Sequence, residues 1–525
     1  MTRQRTAQRR FPTTLDAALA VLPLSLLVAC AGPGSKHPAP AATAPPVLHR
    51  DEVRWLERAT FGLDSASLAE YRRLGRDRYL DRQLDGHDNP LPPPIANVIG
   101  GLGVSRADPM RLLADVNAQY KSINAMPNGP DKEQARKTLN DAGNKLANEA
   151  IRRELLRALY SPSQLKEQMV WFWLNHFSVH QNKANLRWLI GDYAERAIRP
   201  HALGHFRDLV LATLEHPAML QYLDNAQNAV GHVNENYARE LMELHTLGVN
   251  AGYTQQDVQQ LARVLTGVGI NAGNPPKLKP EWQKLYRHDG AFEFNPARHD
   301  FGEKTLLDHT VEGRGYAEVE NAVALIVSQP ACARFISRQL AIYFVADNPP
   351  PQLIERMAQM FRRTDGDIAA VLRSMFLAPE FAAALGGKFK DPMRFVMSAV
   401  RFAYDGRFIT NTRPLVNWLN GLGEVPFGHP TPDGYPLTEL AWASSGQMSR
   451  RFEIARLIGS GSAGLFDPED GGAAVAGGFP QLSNRLYFEA VEPFLAASTR
   501  EALDRATSPQ EWNTFLLASP DFNFE

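Results

Sequence analysis

The chain has 525 residues, a formal net charge of −1 at pH 7 and 44% hydrophobic residues. That length and composition support a large buried core or two lobes. The near-neutral charge argues against nucleic acid as a partner.

In chain order, a targeting segment comes first. Arg3, Arg5, Arg9 and Arg10 precede a short apolar core at 17–29, which is too short to span a bilayer. It runs into Leu27-Val28-Ala29-Cys30, the pattern of a bacterial lipobox. The expectation is a signal peptide over 1–29, cleavage before Cys30 and lipidation of that cysteine. The alternative is an ordinary signal with Cys30 incidental. Ala31 follows the cysteine where an Asp would favour inner-membrane retention. The expected address is therefore the outer membrane, facing the periplasm, with Cys30 as the membrane attachment. Removing 1–29, which carry four Arg and one Asp, leaves a formal charge of about −4. Residues 30–48 are rich in Pro and Ala and read as an extended tether. Residues 49–525 form the body. If Cys30 is lipidated, Cys332 has no disulfide partner and reads as a small buried apolar residue.

The body reads as all-α, a large multi-helix, bundle-like fold. Helical patterns cover 51–60, 65–84 and 131–159, with a proline-rich break at 88–94. Ser161, Pro162 and Gln164 suggest an N-cap, N1 and N3 for the next helix. Its stripe carries Leu165, Met169, Phe172 and His176. Further helices are expected at 194–199, 204–216 and 235–247, the last ending at Gly248. Another is expected at 254–266, with Thr254 as N-cap and Asp257 at N3. Residues 271–315 are rich in Pro, Gly, Asn and His and read as a long irregular excursion holding one small β-hairpin. Helices resume from 319 to about 384, at 393–402 and at 412–422. An irregular stretch covers 421–436, and the C-terminal part is helical around a glycine-rich break at 471–478.

Several clusters could carry chemistry. The pairs His176/His180 and His201/His205 have i, i+4 spacing, so each pair shares a helix face as a metal site requires. A divalent metal on His176 is one expectation; buried or exposed structural histidines are the other. In 234–248, Tyr237, Leu241 and Leu244 form an apolar stripe, and Asn236, Glu240 and Glu243 form the stripe beside it. Two carboxylates at i, i+3 repel and raise one pKa, which suits general acid/base work. Arg239 lies four residues before Glu243 and could pair with it. A structural polar network accounts for these residues as well as a site does. His299, Asp300 and Lys304 lie in the excursion, where charged loop residues favour function, although a turn at Gly302 would also explain Asp300. The sequence has no nucleophile elbow, dinucleotide fingerprint or phosphate-binding loop.

The stretch 234–248, followed by Gly252-Tyr253-Thr254 and Ala262-Arg263-Val264-Leu265-Thr266-Gly267, resembles the bacterial family called domain of unknown function 1800, DUF1800. Arg58-Ala59-Thr60-Phe61-Gly62, Trp171 to Phe177, Lys183, Tyr222-Leu223-Asp224-Asn225, His299-Asp300 with Lys304, and Asp433-Gly434-Tyr435-Pro436 with Trp442 fit the same resemblance. Val268 and Tyr435 stand where that family often has Trp. The resemblance implies a large, mostly helical, exported protein, often encoded beside a secreted protein of the alkaline phosphatase/sulfatase-like superfamily; it implies no reaction. Two functions follow as expectations. One is a periplasmic hydrolase or metal-assisted enzyme acting on envelope or polymeric material. There Glu240 or Glu243 would be acid/base, His245 a further candidate, His176 and His299 ligand or base, Asp300 the partner of His299, and Arg239 and Lys304 charge stabilisers. The other is a non-catalytic lipoprotein that scaffolds or matures an exported phosphatase/sulfatase-like partner.

Overall fold

Helices begin where the sequence supplies an oxygen for the first free amides. Asp64, Asp108, Asp367, Asp391, Ser444 and Ser508 each accept from the backbone N–H three residues on. Thr254 and Asp257 form the full reciprocal capping box, as their spacing predicts. The computed structural model describes residues 48–468 and 478–525. The targeting segment, Cys30 and the tether to residue 47 lie outside the described residues, as does most of the glycine-rich break.

The architecture is all-α, with two small antiparallel sheets. Its longest helix is Pro130–Tyr160, matching the pattern at 131–159. Boundaries shift where a local hydrogen bond outweighs propensity. The segment 65–84 is two helices, Ser65–Leu74 and Arg76–Leu84, parted at Gly75 with φ 75°. The helix expected to be capped by Ser161 opens later, at Gln164. Ser161 instead closes the long helix, its N–H donating to the carbonyl of Arg157 at 2.9 Å. Gln164 donates back to the carbonyls of Ala158 and Ser161, at 3.0 and 2.9 Å. Around Pro200 the chain stays helical, as a π-helical turn Tyr193–Ile198 followed by a 3₁₀ turn Arg199–His201.

The excursion contains more sheet than the single hairpin expected. Strand β3 (Phe292–Phe294) lies between β1 (Val268–Ile270) and β2 (Arg287–Asp289). Strands β4 (Lys304–Leu306) and β5 (His309–Val311) form a separate hairpin. Its two-residue turn has Leu307 and Asp308 at φ 50° and 63°, the primed-turn geometry that matches strand twist. Phe292–Phe294 is buried on both faces and pairs with strands on both sides, and Lys304–Leu306 pairs with His309–Val311 instead.

One hydrophobic cluster runs through the body from Leu48 to Phe522, with satellites around Trp188 and Leu156. Cys332 is buried in it, and burial pushes its thiol pKa up. Among the described residues no helix is long and apolar enough to cross a membrane. Charge is also buried. Arg199 donates to Glu154 at 2.7 Å, to both oxygens of Glu167 at 3.0 Å and to Glu195 at 3.2 Å. This joins the helices Pro130–Tyr160 and Gln164–His176 to the π-helical turn.

Removing one member of such a network leaves buried charges without counter-ions. Arg199→Met is expected to lower unfolding free energy by about 3–5 kcal/mol in urea titration. Burial alone would raise the Glu195 carboxyl, but Arg157, Arg153 and Arg199 outweigh it and bring the pKa to about 2. Its contribution to stability is therefore complete above pH 4.5, its ordinary value, and lost as pH falls toward 2. The acid fall in that window should be shallower in Arg199→Met. An equally steep fall would place the acid-labile interaction elsewhere.

Candidate functional site

The helix that carries Glu240 is positioned by asparagines. Asn228 accepts from the N–H of Asn234 and Asn234 from that of Asn236, each at 2.9 Å. Asn236 then donates to the carbonyl of Leu223 at 3.2 Å, fixing the helix start against 222–225. The helix Asn236–Glu240 continues as a π-helical turn, Leu241–Thr246. The wider register has two local supports. The hydroxyl of Thr246 donates to the carbonyl of Leu241 at 2.6 Å, and the N–H of Leu247 donates to that of Met242 at 2.9 Å. Gly248 ends the turn at φ 87°, and a Cβ there would stand 2.7 Å from the Phe335 ring.

The π register changes which residues turn inward. The expected stripe of Tyr237, Leu241 and Leu244 assumes α-helical spacing. The buried residues are instead Tyr237, Ala238, Leu241, Met242, His245 and Thr246, and Leu244 stays half-exposed. His245 is completely buried, and among the described residues neither ring nitrogen has a hydrogen-bond partner. Burial first, and His176 second, hold its pKa well below the ordinary value, so the ring is neutral. The His176 and His245 rings lie 6.1 Å apart between centroids, with Phe177 5.1 Å from His245. Nε2–H of His176 donates to the backbone carbonyl of His245 at 2.9 Å. That bond satisfies a carbonyl inside the π-helical turn. It also fixes the His176 tautomer, with the proton on Nε2 and the lone pair on Nδ1. No group of three His, Cys, Asp or Glu side chains placed to hold a metal occurs among the described residues.

Glu240 and Glu243 face the other way, half-exposed. The expected Arg239–Glu243 pair does not form. Arg239 donates to Glu235 at 3.1 Å and to Gln255 at 2.7 Å, and Gln255 closes the ring by donating to Glu235 at 2.7 Å. Arg239 is drawn toward the helix start because Glu235 lies one turn before it. Neither Glu240 nor Glu243 has a hydrogen bond or ion pair to its side chain among the described residues. Burial raises the Glu240 pKa, Glu243 raises it further, Arg239 offsets part, and Asp433 adds to the rise. Tyr222 belongs to the same face, its hydroxyl pushed up to about 12 by burial, Asp433 and Glu240. It donates to the carbonyl of Pro430 at 2.9 Å. Lys183 stands over the Tyr222 ring at 5.4 Å and pairs with Asp224 at 3.0 Å.

Asp433 is placed by the loop that follows it. Asn175 donates to the carbonyl of Tyr435 at 3.0 Å and accepts from its N–H at 2.6 Å. Gly434 allows this approach at φ 72°, because a Cβ there would stand 2.2 Å from the carbonyl of Asn175. Segments 175–183, 222–225, 234–248 and 433–435 thus meet on one face, although up to 260 residues separate them. Asp433, Tyr222 and Asp224 complete this face and were not among the residues singled out for chemistry. Their signal in the sequence was the family resemblance of 222–225 and 433–436, which assigns no chemistry to them.

The other predicted group is separate. His299 donates through Nδ1 to the carbonyl of Thr266 at 2.7 Å, and Nε2 lies 2.9 Å from Glu318. Lys304 donates to the second Glu318 oxygen at 2.5 Å, and the Gly315 N–H to the first at 3.0 Å. The side chains of His299, Lys304 and Glu318 are fully buried. Burial would raise the Glu318 pKa, but His299 and Lys304 together hold it below the ordinary carboxylate range. Asp300 pairs with Arg263 at 2.7 Å and accepts from the N–H of Gly302 at 2.8 Å. His299 and Lys304, expected as base and charge stabiliser, are sealed from solvent and tie the excursion to the helix Tyr316–Ser328. Asp300 braces the turn. None of the three bonds to Glu240, Glu243 or His245. Glu318 was missed because its position, third in a helix after Gly315, reads as an ordinary cap.

The His176–His245 contact predicts a pH dependence. Burial pushes His176 down to about 4, the bond to the His245 carbonyl offsetting part. A histidine with a depressed folded pKa stabilises fully above its ordinary 6.5, and that stability is lost as pH falls through about 4. Urea unfolding at several pH values should therefore show a fall between these limits that is smaller in His176→Phe. An unchanged slope would mean that other groups take up the protons.

No curated protein and no solved structure matches the chain. The family described as "Protein of unknown function (DUF1800)" matches residues 54–524. That span covers the asparagine-braced helix, its π-helical turn and all four segments that meet at Glu240, and the chain belongs to this family.

Proposed function

We propose that the protein is an exported, lipid-anchored hydrolase acting on envelope or polymeric material, with Glu240 and Glu243 as its acid/base pair. One observation carries this reading: two neighbouring carboxylates with no counter-ion among the described residues, one with a raised pKa, on a face assembled from four distant segments. Glu154, Glu167, Glu195 and Glu318 are ion-paired, and Glu215, Glu293 and Glu424 accept hydrogen bonds, whereas Glu240 and Glu243 do neither among the described residues. Glu240, protonated, donates its proton to the leaving group. Glu243, as the base, takes one from water as the oxygen attacks. One water is consumed, and the two carboxyls exchange protonation states until solvent resets them. Export and anchoring rest on the lipobox ending at Cys30 and on the charged segment before it.

Glu240→Gln should reduce release of soluble fragments from insoluble envelope polymer about 10²–10⁴-fold. As an acid, Glu240 works only while protonated, so activity is lost as pH rises through its raised pKa. Glu243→Gln removes the charge that helps hold that pKa up, so any remaining activity should lose its alkaline limb at lower pH. Full turnover by Glu240→Gln would overturn the assignment.

A non-catalytic scaffold for an exported phosphatase/sulfatase-like partner is the second reading. Val230, Val233 and Val249, 44–60% exposed, flank the same helix in sequence and favour it. It requires that such a partner co-purify stoichiometrically and be lost in Val230→Asp/Val233→Asp.

A further inference from the structure

Beside the acidic face lies a cleft of about 220 Å³. Its polar walls are Asn117, Lys183, Asn185, Gln221, Asp224 and Gln227, and Leu113 and Ile270 supply apolar surface. Lys183 and Asp224 pair at 3.0 Å, which cancels their charges. What remains is four carboxamides. Asn185 donates to Asn117 at 3.4 Å, while the Gln221 and Gln227 side chains have no hydrogen bond among the described residues. Two non-glycine residues lining the cleft have left-handed backbone, Ala184 at φ 47° and Asp224 at φ 62°. Ala184 has no polar side chain to ease that conformation.

This lining selects a chemistry. A carboxamide presents a donor and an acceptor side by side, as a sugar hydroxyl does. An anionic ligand would need an unpaired cation, and Lys183 is already paired. An apolar ligand would strip water from four amides and leave their hydrogen bonds unmade. A neutral ring with hydroxyls at its edge and C–H groups on its face satisfies both the amides and the aliphatic surface. The cleft is below the size of a drug-sized pocket and suits a single ring. It shares a wall with the acidic face: Gln221 precedes Tyr222 on the helix Pro217–Tyr222, and the Lys183 ammonium lies over the Tyr222 ring.

We propose that this cleft is a saccharide subsite, holding one neutral pyranose ring of a polymer whose next bond lies toward Glu240. The placement of that bond rests on the acid/base reading above; ring binding in the cleft does not. The test uses two neutral probes, the β-1,4-linked tetramer of N-acetylglucosamine and that of glucose, followed by calorimetry or protein NMR. At least one should bind at millimolar concentration or below, with affinity little changed by salt because no charge is neutralised. Gln221→Ala/Gln227→Ala should weaken binding about tenfold or more, with an unchanged unfolding midpoint. Lys183→Met leaves Asp224 unpaired and should weaken it as well. Glu240→Gln should bind as the parent does. Binding by Glu240→Gln without loss of turnover would sink the acid/base assignment and leave the subsite standing. Absence of binding by both probes, binding indifferent to the double variant, or steeply salt-dependent binding would each overturn the subsite.

Discussion

Buried guanidinium groups set the terms for the rest of this structure. Arg58, Arg153, Arg199, Arg394, Arg401 and Arg451 are each at most 5% exposed. A charge removed from water is costly unless it is paired or hydrogen-bonded, so each arginine gathers carboxylates, carbonyls or amides around it. Arg199 gathers Glu154, Glu167 and Glu195. Arg394 and Arg58 meet at Glu525, and Arg401 reaches Asp64 at 2.7 Å. Strands of sequence as distant as the fifties, the three-nineties and the five-twenties are thereby held in one arrangement. An apolar core tolerates sliding side chains, whereas a five-donor fork does not.

This rigidity explains how the candidate face can be built from separate pieces. The helix Gln164–His176 is fixed by Glu167, and its C-terminal end supplies Asn175 and His176. Asn175 holds the loop that carries Asp433, and His176 completes the π-helical turn beneath Glu240 and Glu243. Bonded charges make the frame, and Glu240 and Glu243 stand on its surface. His245 belongs to neither class. It is buried and neutral, with no hydrogen-bond partner for either ring nitrogen among the described residues.

The sequence made much of the fold legible because helix signals are local. Asp, Ser and Thr caps, the Thr254–Asp257 box and the glycine stop at Gly248 act within one turn of chain. The expected helices at 131–159 and 412–422 are found with boundaries shifted by about one residue. Misplacements occurred where two elements compete for one residue, as Ser161 and Gln164 close the preceding helix. They also occurred where pairing is non-local, as in the two sheets of 268–311. The same division runs through the site. Glu240 and Glu243 could be picked out because repulsion at i, i+3 is a local property. The fate of Arg239 depended on Glu235 and Gln255, and that of His299 and Lys304 on Glu318.

By itself the sequence determined the all-α class, most helix ends and the family, since these rest on spacing along the chain. It also singled out Glu240, Glu243 and His245. Only the tertiary structure decided which polar residues are sealed and which are free, because burial and ion pairing are properties of neighbours in space. It placed His299 and Lys304 inside a closed network, turned His245 rather than Leu244 into the core through a widened helical turn, and left two carboxylates without a counter-ion among the described residues beside Tyr222 and Asp433.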